Sequence, residues 1–265
     1  MKAITIASLK NMKLTGEKIA CLTAYDASFA ALLEDAGVEV LLVGDSLGMV
    51  IQGQLTTLPV TMDAMVYHTS CVARAIRRSL LIADLPFLSY FSIERSLENA
   101  GRLMAAGASM VKLEGCNTEI IEIIKNLSKW GIPVCAHLGL LPQSVFKLGG
   151  YRVQGRESEQ AAALIENAQS LEAAGAELLV LECIPVNLAQ QITKLVTIPT
   201  IGIGAGAYCD GQVLVLYDML GISLGKRPRF IRDFMVGNNS IREAITTFVR
   251  DVKSGVFPEL DHSYI

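Results

Sequence analysis

Seven residues of this chain carry chemistry that an apolar core does not need. They are Asp45, Ser46, Asp84, Lys112, Glu114, His137 and Glu182, and each stands at or just past the end of a short apolar run. The first two lie in Leu41-Leu42-Val43-Gly44-Asp45-Ser46-Leu47-Gly48. A carboxylate just beyond a buried run is costly unless something binds it, and flanking glycines let the backbone turn and a ligand come close. The others end the runs Leu80–Asp84, Met110–Glu114, Pro133–Gly139 and Glu177–Glu182 or lie within their last residues. A single acid in such a place reads as a helix cap. Four acids at equivalent positions, with an amine, an imidazole and a hydroxyl, read as a site.

The donor types narrow the chemistry. Asp45, Asp84 and Glu114 form an all-oxygen set, which suits Mg²⁺ or Mn²⁺ rather than zinc or copper. One such ion leaves positions for the two oxygens of a 2-oxo acid and stabilises an enolate at the carbon beside the ketone. Ser46 is placed to touch what the metal holds. Lys112 shares a strand face with Glu114, two residues on, and can neutralise a substrate carboxylate or a developing oxyanion; a Schiff-base role competes with this. His137 is expected to donate a hydrogen bond to substrate rather than to bind metal. Glu182 sits in Leu181-Glu182-Cys183-Ile184-Pro185, where desolvation should raise its pKa and suit it to take a proton. Gly202-Ile203-Gly204-Ala205-Gly206-Ala207 formally matches a dinucleotide fingerprint, but no helix pattern follows it, so a nicotinamide cofactor is not expected.

Something must hold these residues together. Apolar runs at 19–25, 38–44, 80–84, 110–115, 133–139, 177–182 and 199–204 read as strands, with a possible eighth at 212–216. Helical patterns follow most of them, started by Asp26, Thr61, Ser92, Thr118 and Ser158, with glycine stops at 37, 107, 131 and 175. The link between the seventh and eighth strands is too short for an ordinary crossover helix. The repeated order predicts a parallel (β/α)8 barrel, whose active site lies at the C-terminal strand ends. Residues 1–14, helical over 6–12, would close the barrel bottom, and the amphipathic pattern over 240–253 predicts a last helix. A long loop, 140–157, is a candidate lid or binding loop. No linker divides residues 1–265, so one domain is expected.

Composition agrees. Of 265 residues, 51% are hydrophobic and 18% charged, enough for a large core. A net charge of −3 argues against nucleic acid or an anionic membrane surface as partner. No signal-like start and no run of about 20 apolar residues is present. The six cysteines are scattered without a CxxC pair, which fits reduced thiols and a cytoplasmic protein.

Val43-Gly44-Asp45-Ser46-Leu47-Gly48, Ala83-Asp84-Leu85-Pro86-Phe87, Val111-Lys112-Leu113-Glu114-Gly115, His137-Leu138-Gly139-Leu140 with Pro142-Gln143, Gly149-Gly150 with Gln154-Gly155-Arg156, Leu181-Glu182-Cys183 and Gly202–Gly206 together resemble the ketopantoate hydroxymethyltransferase family, in the same order along essentially the whole chain. The resemblance implies a barrel of the phosphoenolpyruvate/pyruvate type. It implies transfer of a hydroxymethyl group from 5,10-methylenetetrahydrofolate to 3-methyl-2-oxobutanoate, giving 2-dehydropantoate for pantothenate and coenzyme A. It further implies that Asp45, Asp84 and Glu114 arrange one Mg²⁺ per subunit, directly or through water. Asp45, Ser46, Asp84 and Lys112 would contact the oxo acid, with Glu182 as proton acceptor and His137 carried over less directly. A homodecamer with swapped C-terminal helices is the implied assembly. Cys116 and Ala136 depart from the family pattern, each standing where a glycine is expected. The rival readings are a phosphoenolpyruvate mutase or lyase-type barrel and a non-catalytic assembly or metal-storage barrel.

Overall fold

The apolar runs become eight parallel strands that pair in sequence order and close on themselves, β8 against β1. They are β1 Ile19–Thr23, β2 Val40–Val43, β3 Leu80–Asp84, β4 Met110–Glu114, β5 Val134–Gly139, β6 Leu178–Glu182, β7 Thr200–Ile203 and β8 Gly211–Leu214. The structure is a computed structural model that describes residues 3–223 and 227–265. Met1 and Lys2, the start of the expected N-terminal piece, lie outside the described residues.

Helices fill the gaps between strands: α1 Ile6–Thr15 before β1, then α2 Ala27–Asp35, α3 Leu47–Val50, α4 Met62–Ala73, α5 Ile93–Ala105, α6 Thr118–Lys129, α7 Ser158–Ala174, α8 Val186–Leu195, α9 Leu216–Met219 and α10 Ile241–Lys253. Their starts follow side-chain chemistry. Asp26, Thr61, Ser92, Asn117 and Ser240 each accept a hydrogen bond from a backbone N–H in the first turn, a device that stabilises by about 1 kcal/mol. One start differs from expectation: α6 begins at Thr118 as expected, behind the cap Asn117, but Ser158 is already inside α7, whose cap residue Glu157 makes no side-chain bond. Gly37, Gly107, Gly131 and Gly175 take positive φ after their helices, the conformation that lets a chain leave a helix and turn back into a strand.

Alternation along the strands separates two cores. Outward residues such as Leu41, Leu81, Val111 and Leu179 pack under the helices. Inward residues Ile19, Cys21, Val40, Leu42, Leu80, Ile82, Met110, Cys135, Leu178, Val180, Ile201 and Val213 fill the barrel. Leu9 and Met12 of α1 join this inner cluster, so the N-terminal helix stoppers the lower end as expected. Each contributes about 2 kcal/mol by removing its side chain from water.

The strand missing a helix is real and has a simple geometry. Residues 204–210 return the chain from the top of β7 to the bottom of β8 without a helix. Seven residues reach about 23 Å when extended, against about 13 Å for a four-residue strand, so an extended return suffices. Asp210 fixes its lower end, accepting from the Thr200 N–H at 2.8 Å and from Lys13 of α1 at 2.8 Å. β8 therefore starts at Gly211, one residue earlier than the sequence pattern suggests.

The last helix, α10, lies on its own barrel. Ala244, Ile245, Phe248 and Val252 are buried, and Lys253 Nζ reaches the buried Glu39 carboxylate at 2.6 Å. The amphipathic face is thus covered within the chain itself.

Candidate active site

Strand parity delivers the polar residues. The inward positions that follow Ile82, Met110, Cys135 and Val180 in steps of two are Asp84, Lys112, Glu114, His137 and Glu182. Register sets them side by side: Asp84 pairs with Lys112, Glu114 with His137, and Glu182 with Gly139 beside it. All seven residues singled out in the sequence line one cavity of about 830 Å³ at the C-terminal strand ends.

The floor is built of buried charge. Lys112 Nζ donates to Asp84 Oδ1 at 2.8 Å, with both side chains almost fully enclosed. Asp84 Oδ2 accepts the Asp45 N–H at 3.1 Å. Gly44 makes room for the serine, because a Cβ there would lie 2.8 Å from Ser46 Oγ. Ser46 Oγ shares a 2.8 Å hydrogen bond with the buried Tyr25 hydroxyl. Burial, with the carboxylates of Asp84 and Glu114 nearby, pushes Asp45 up to about 8. Burial works against charge on Lys112 too, but Asp84, Glu114 and Asp45 raise it overall.

His137 stands between two acids. Its Nδ1 is 3.6 Å from Glu114 Oε1 and its Nε2 is 3.2 Å from Glu182 Oε2. The first is too long and the second too poorly aligned to count as a hydrogen bond. Burial disfavours its charge, yet the two carboxylates outweigh it and raise the imidazole to about 9. Burial opposes ionisation of Glu114 as well, but His137, Lys112 and the Gln143 N–H together lower it. The sequence suggests an isolated Glu182 in apolar surroundings. In the structure Leu181 points away into the outer core, and the Glu182 carboxylate faces the cavity with 14% of the side chain exposed and an imidazole beside it. Gly139, at φ 98°, makes room for it, since a Cβ there would run into the Glu182 carbonyl. Cys183 follows in the left-handed region at φ 48°, a strained turn of the kind found at functional sites.

Three partners have no role in the sequence patterns, although Tyr25 ends the first apolar run and Gln143 stands in the motif after His137. Tyr25 holds Ser46, and Gln143 and Tyr90 hold the acids. Gln143 Nε2 donates to Asp45 Oδ2 at 2.9 Å, while its backbone N–H donates to Glu114 Oε2 at 3.0 Å. Their signals are weak ones: a tyrosine two residues past β1, and a lone amide soon after the strand that carries His137.

The cluster fits a divalent cation. Glu114 Oε1 is buried without a hydrogen bond, and Asp45, Asp84 and Glu114 crowd negative charge that the Lys112 ammonium balances only in part. Among the described residues no three His, Cys, Asp or Glu side chains form a ready cage. That is compatible with magnesium, which commonly takes one or two carboxylates and completes its shell with water and substrate oxygens.

The molecule is thus a parallel (β/α)8 barrel with an acid-rich mouth, a fold shared by a member of the phosphoenolpyruvate mutase/isocitrate lyase superfamily. It is similar to 2,3-dimethylmalate lyase, a member of that superfamily, with a TM-score of 0.60 over 83% of each chain at 17% identity. It is similar also to phosphonopyruvate hydrolase in complex with oxalate and Mg²⁺, with a TM-score of 0.61 over 97% of this chain and 92% of that one at 14% identity. Sequence narrows the class. The family model for ketopantoate hydroxymethyltransferase matches residues 3–260, and the chain belongs to that family. It is 58% identical to the 3-methyl-2-oxobutanoate hydroxymethyltransferase of Methylococcus capsulatus over 262 residues, 98% of this chain and 97% of that protein.

Proposed function

We propose that the chain transfers a hydroxymethyl group from 5,10-methylenetetrahydrofolate to 3-methyl-2-oxobutanoate. One water is consumed, and tetrahydrofolate and 2-dehydropantoate leave. The observation that carries this reading is Glu182, whose carboxylate opens into the cavity beside His137, above a floor of Asp45, Ser46, Asp84 and Lys112. Asp45, Asp84 and Glu114 would arrange one Mg²⁺, directly or through water. Bound there, the ion supplies charge that draws electrons from the substrate ketone. Support comes from the unsatisfied Glu114 oxygen, from the crowded carboxylates, and from the structural neighbour that is in complex with oxalate and Mg²⁺.

The chain's own residues do the rest. Ser46, held by Tyr25, and Lys112, held by Asp84, orient the substrate carboxylate and oppose its charge. Glu182 takes the proton from C3 of the oxo acid. His137 lies against Glu182 and stabilises its carboxylate when the proton is absent. The C3 carbon then forms its new bond to the one-carbon unit of the folate. The loop carrying Tyr151, Arg152 and Val153 borders the same cavity and offers a wall for that larger co-substrate. Among the described residues no helix is long and apolar enough to cross a membrane, which accords with a proposed cytoplasmic site of action. A homodecamer of single-domain chains is the assembly that family membership suggests.

The test is proton exchange at C3. The protein is incubated in heavy water with Mg²⁺ and 3-methyl-2-oxobutanoate but no folate. Exchange is expected to need the metal and to be lost in Glu182→Gln, and adding the folate should then yield 2-dehydropantoate. Exchange that survives Glu182→Gln would sink the assignment of the base.

A further inference from the structure

Gln143 belongs to no strand or long helix, yet it is buried and makes contacts that no packing role requires. Its side-chain amide donates to Asp45 Oδ2 at 2.9 Å and to the Leu85 carbonyl at 3.0 Å. Its side-chain carbonyl accepts from the Tyr90 hydroxyl at 2.6 Å. Its backbone N–H donates to Glu114 Oε2 at 3.0 Å. The orientation of the amide is set by its neighbours, since a backbone carbonyl accepts and cannot donate. The NH₂ must face Leu85 and Asp45, which leaves the amide oxygen for Tyr90. The Tyr90 oxygen in turn lies 3.4 Å from the Glu114 N–H, which donates to it.

The consequence for the acids is specific. One oxygen of Asp45 and one of Glu114 are taken up by the same residue. Asp45 Oδ1 has no hydrogen bond among the described residues, and Glu114 Oε1 has none either. A carboxylate with one oxygen tied by a firm donor keeps a fixed rotation and presents the other. Two carboxylates tied by one residue keep a fixed spacing as well.

We propose that Gln143 is a positioning residue for the divalent cation. It fixes Asp45 and Glu114 so that their free oxygens face the ion or its bound water, and Tyr90 locks the amide in that orientation. The proposal rests on the reading of Asp45 and Glu114 as cation-binding residues. It also gives the loop after β5 a second task. Gln143 lies in the short turn Pro142–Ser144 at the start of that loop, and Tyr151 and Arg152 further along it border the cavity. Residues that orient metal ligands typically change affinity by about 10–100-fold when removed.

The experiment measures cation affinity without turnover. Mn²⁺ is titrated into the full-length protein, free ion is followed by its electron paramagnetic resonance signal, and Mg²⁺ is used to compete. Circular dichroism melts establish that each variant is folded. Gln143→Ala is expected to weaken Mn²⁺ binding at least about tenfold. Tyr90→Phe, which removes only one hydroxyl, should weaken it by a smaller factor of several. Unchanged affinity in a folded Gln143→Ala protein overturns the proposal while leaving the ion site standing. If Gln143→Ala fails to fold, Tyr90→Phe decides, and unchanged affinity in it overturns the proposal too. Absence of Mn²⁺ binding in the wild-type protein would overturn the cation site itself and the role of Gln143 with it.

Discussion

The two ends of this barrel are made from the same strands and the same inward face, yet they are opposites. At the bottom, Ile19, Val40, Leu80, Met110 and Leu178 meet Leu9 and Met12 in a dry cluster. Further up, the same faces carry Asp84, Lys112, Glu114, His137 and Glu182. The lower end gives its positions to burial and gains stability. The upper end gathers Asp45, Asp84, Glu114 and Glu182 around Lys112 and His137, with Arg152, Arg227 and Arg229 at the same cavity, and enclosing that much charge costs stability. The fold thus separates holding from doing along a single axis.

Substitutions at the two ends should separate in the same way. The largest effect is expected from Glu182→Gln. Loss of a general base should slow C3 proton exchange by about 10²–10⁴-fold, with a melting temperature close to wild type because the new amide has the same shape. Stopped exchange together with a large drop in melting temperature would blur the contrast. Next comes Leu9→Ala at the lower end. The residue is buried, so its truncation should cost about 2–5 kcal/mol in denaturant melts while exchange per folded molecule stays unchanged.

The third test concerns the ion and pH. Asp45 is raised by burial and by neighbouring acids to about 8 from 3.8. Without metal, its contribution to stability is fully present below 3.8 and lost as pH rises through about 8. A bound divalent ion competes with the proton. Chelation should therefore lower the melting temperature more at about pH 9 than at about pH 6, and Asp45→Asn should abolish that difference. The smallest effect is expected from Tyr25→Phe. Losing one hydrogen bond to Ser46 removes about 1 kcal/mol, to be seen as a several-fold rise in KM for the oxo acid with kcat little changed.

Much of the upper end is legible in the order of the amino acids. A buried strand announces itself by an apolar run, and a charged residue at its end stands out against that background, so Asp45, Asp84, Glu114 and Glu182 are visible there. Period-two alternation then puts Lys112 and Glu114 on one face. The partners Tyr25, Tyr90 and Gln143 are not visible in these roles, because they lie in loops and meet the acids and Ser46 across 21 to 98 residues of chain. No local period encodes such contacts. Glu182 shows the limit most clearly. Its sequence neighbours are apolar, but the pleat turns Leu181 outward and leaves His137 beside the carboxylate. The short helices α3 and α9 leave no mark in the pattern either, since four residues offer too little periodicity.

The stopper formed by α1 sets a rule for traffic. Among the described residues Leu9 and Met12 seal the lower end, so the cavity is filled and emptied through its mouth. On the proposed reaction, the small oxo acid belongs on the floor and the folate above it. The order of arrival expected from that arrangement is the oxo acid before the folate, which initial-rate and product-inhibition kinetics would check. Departure runs in reverse, with tetrahydrofolate leaving before 2-dehydropantoate can escape.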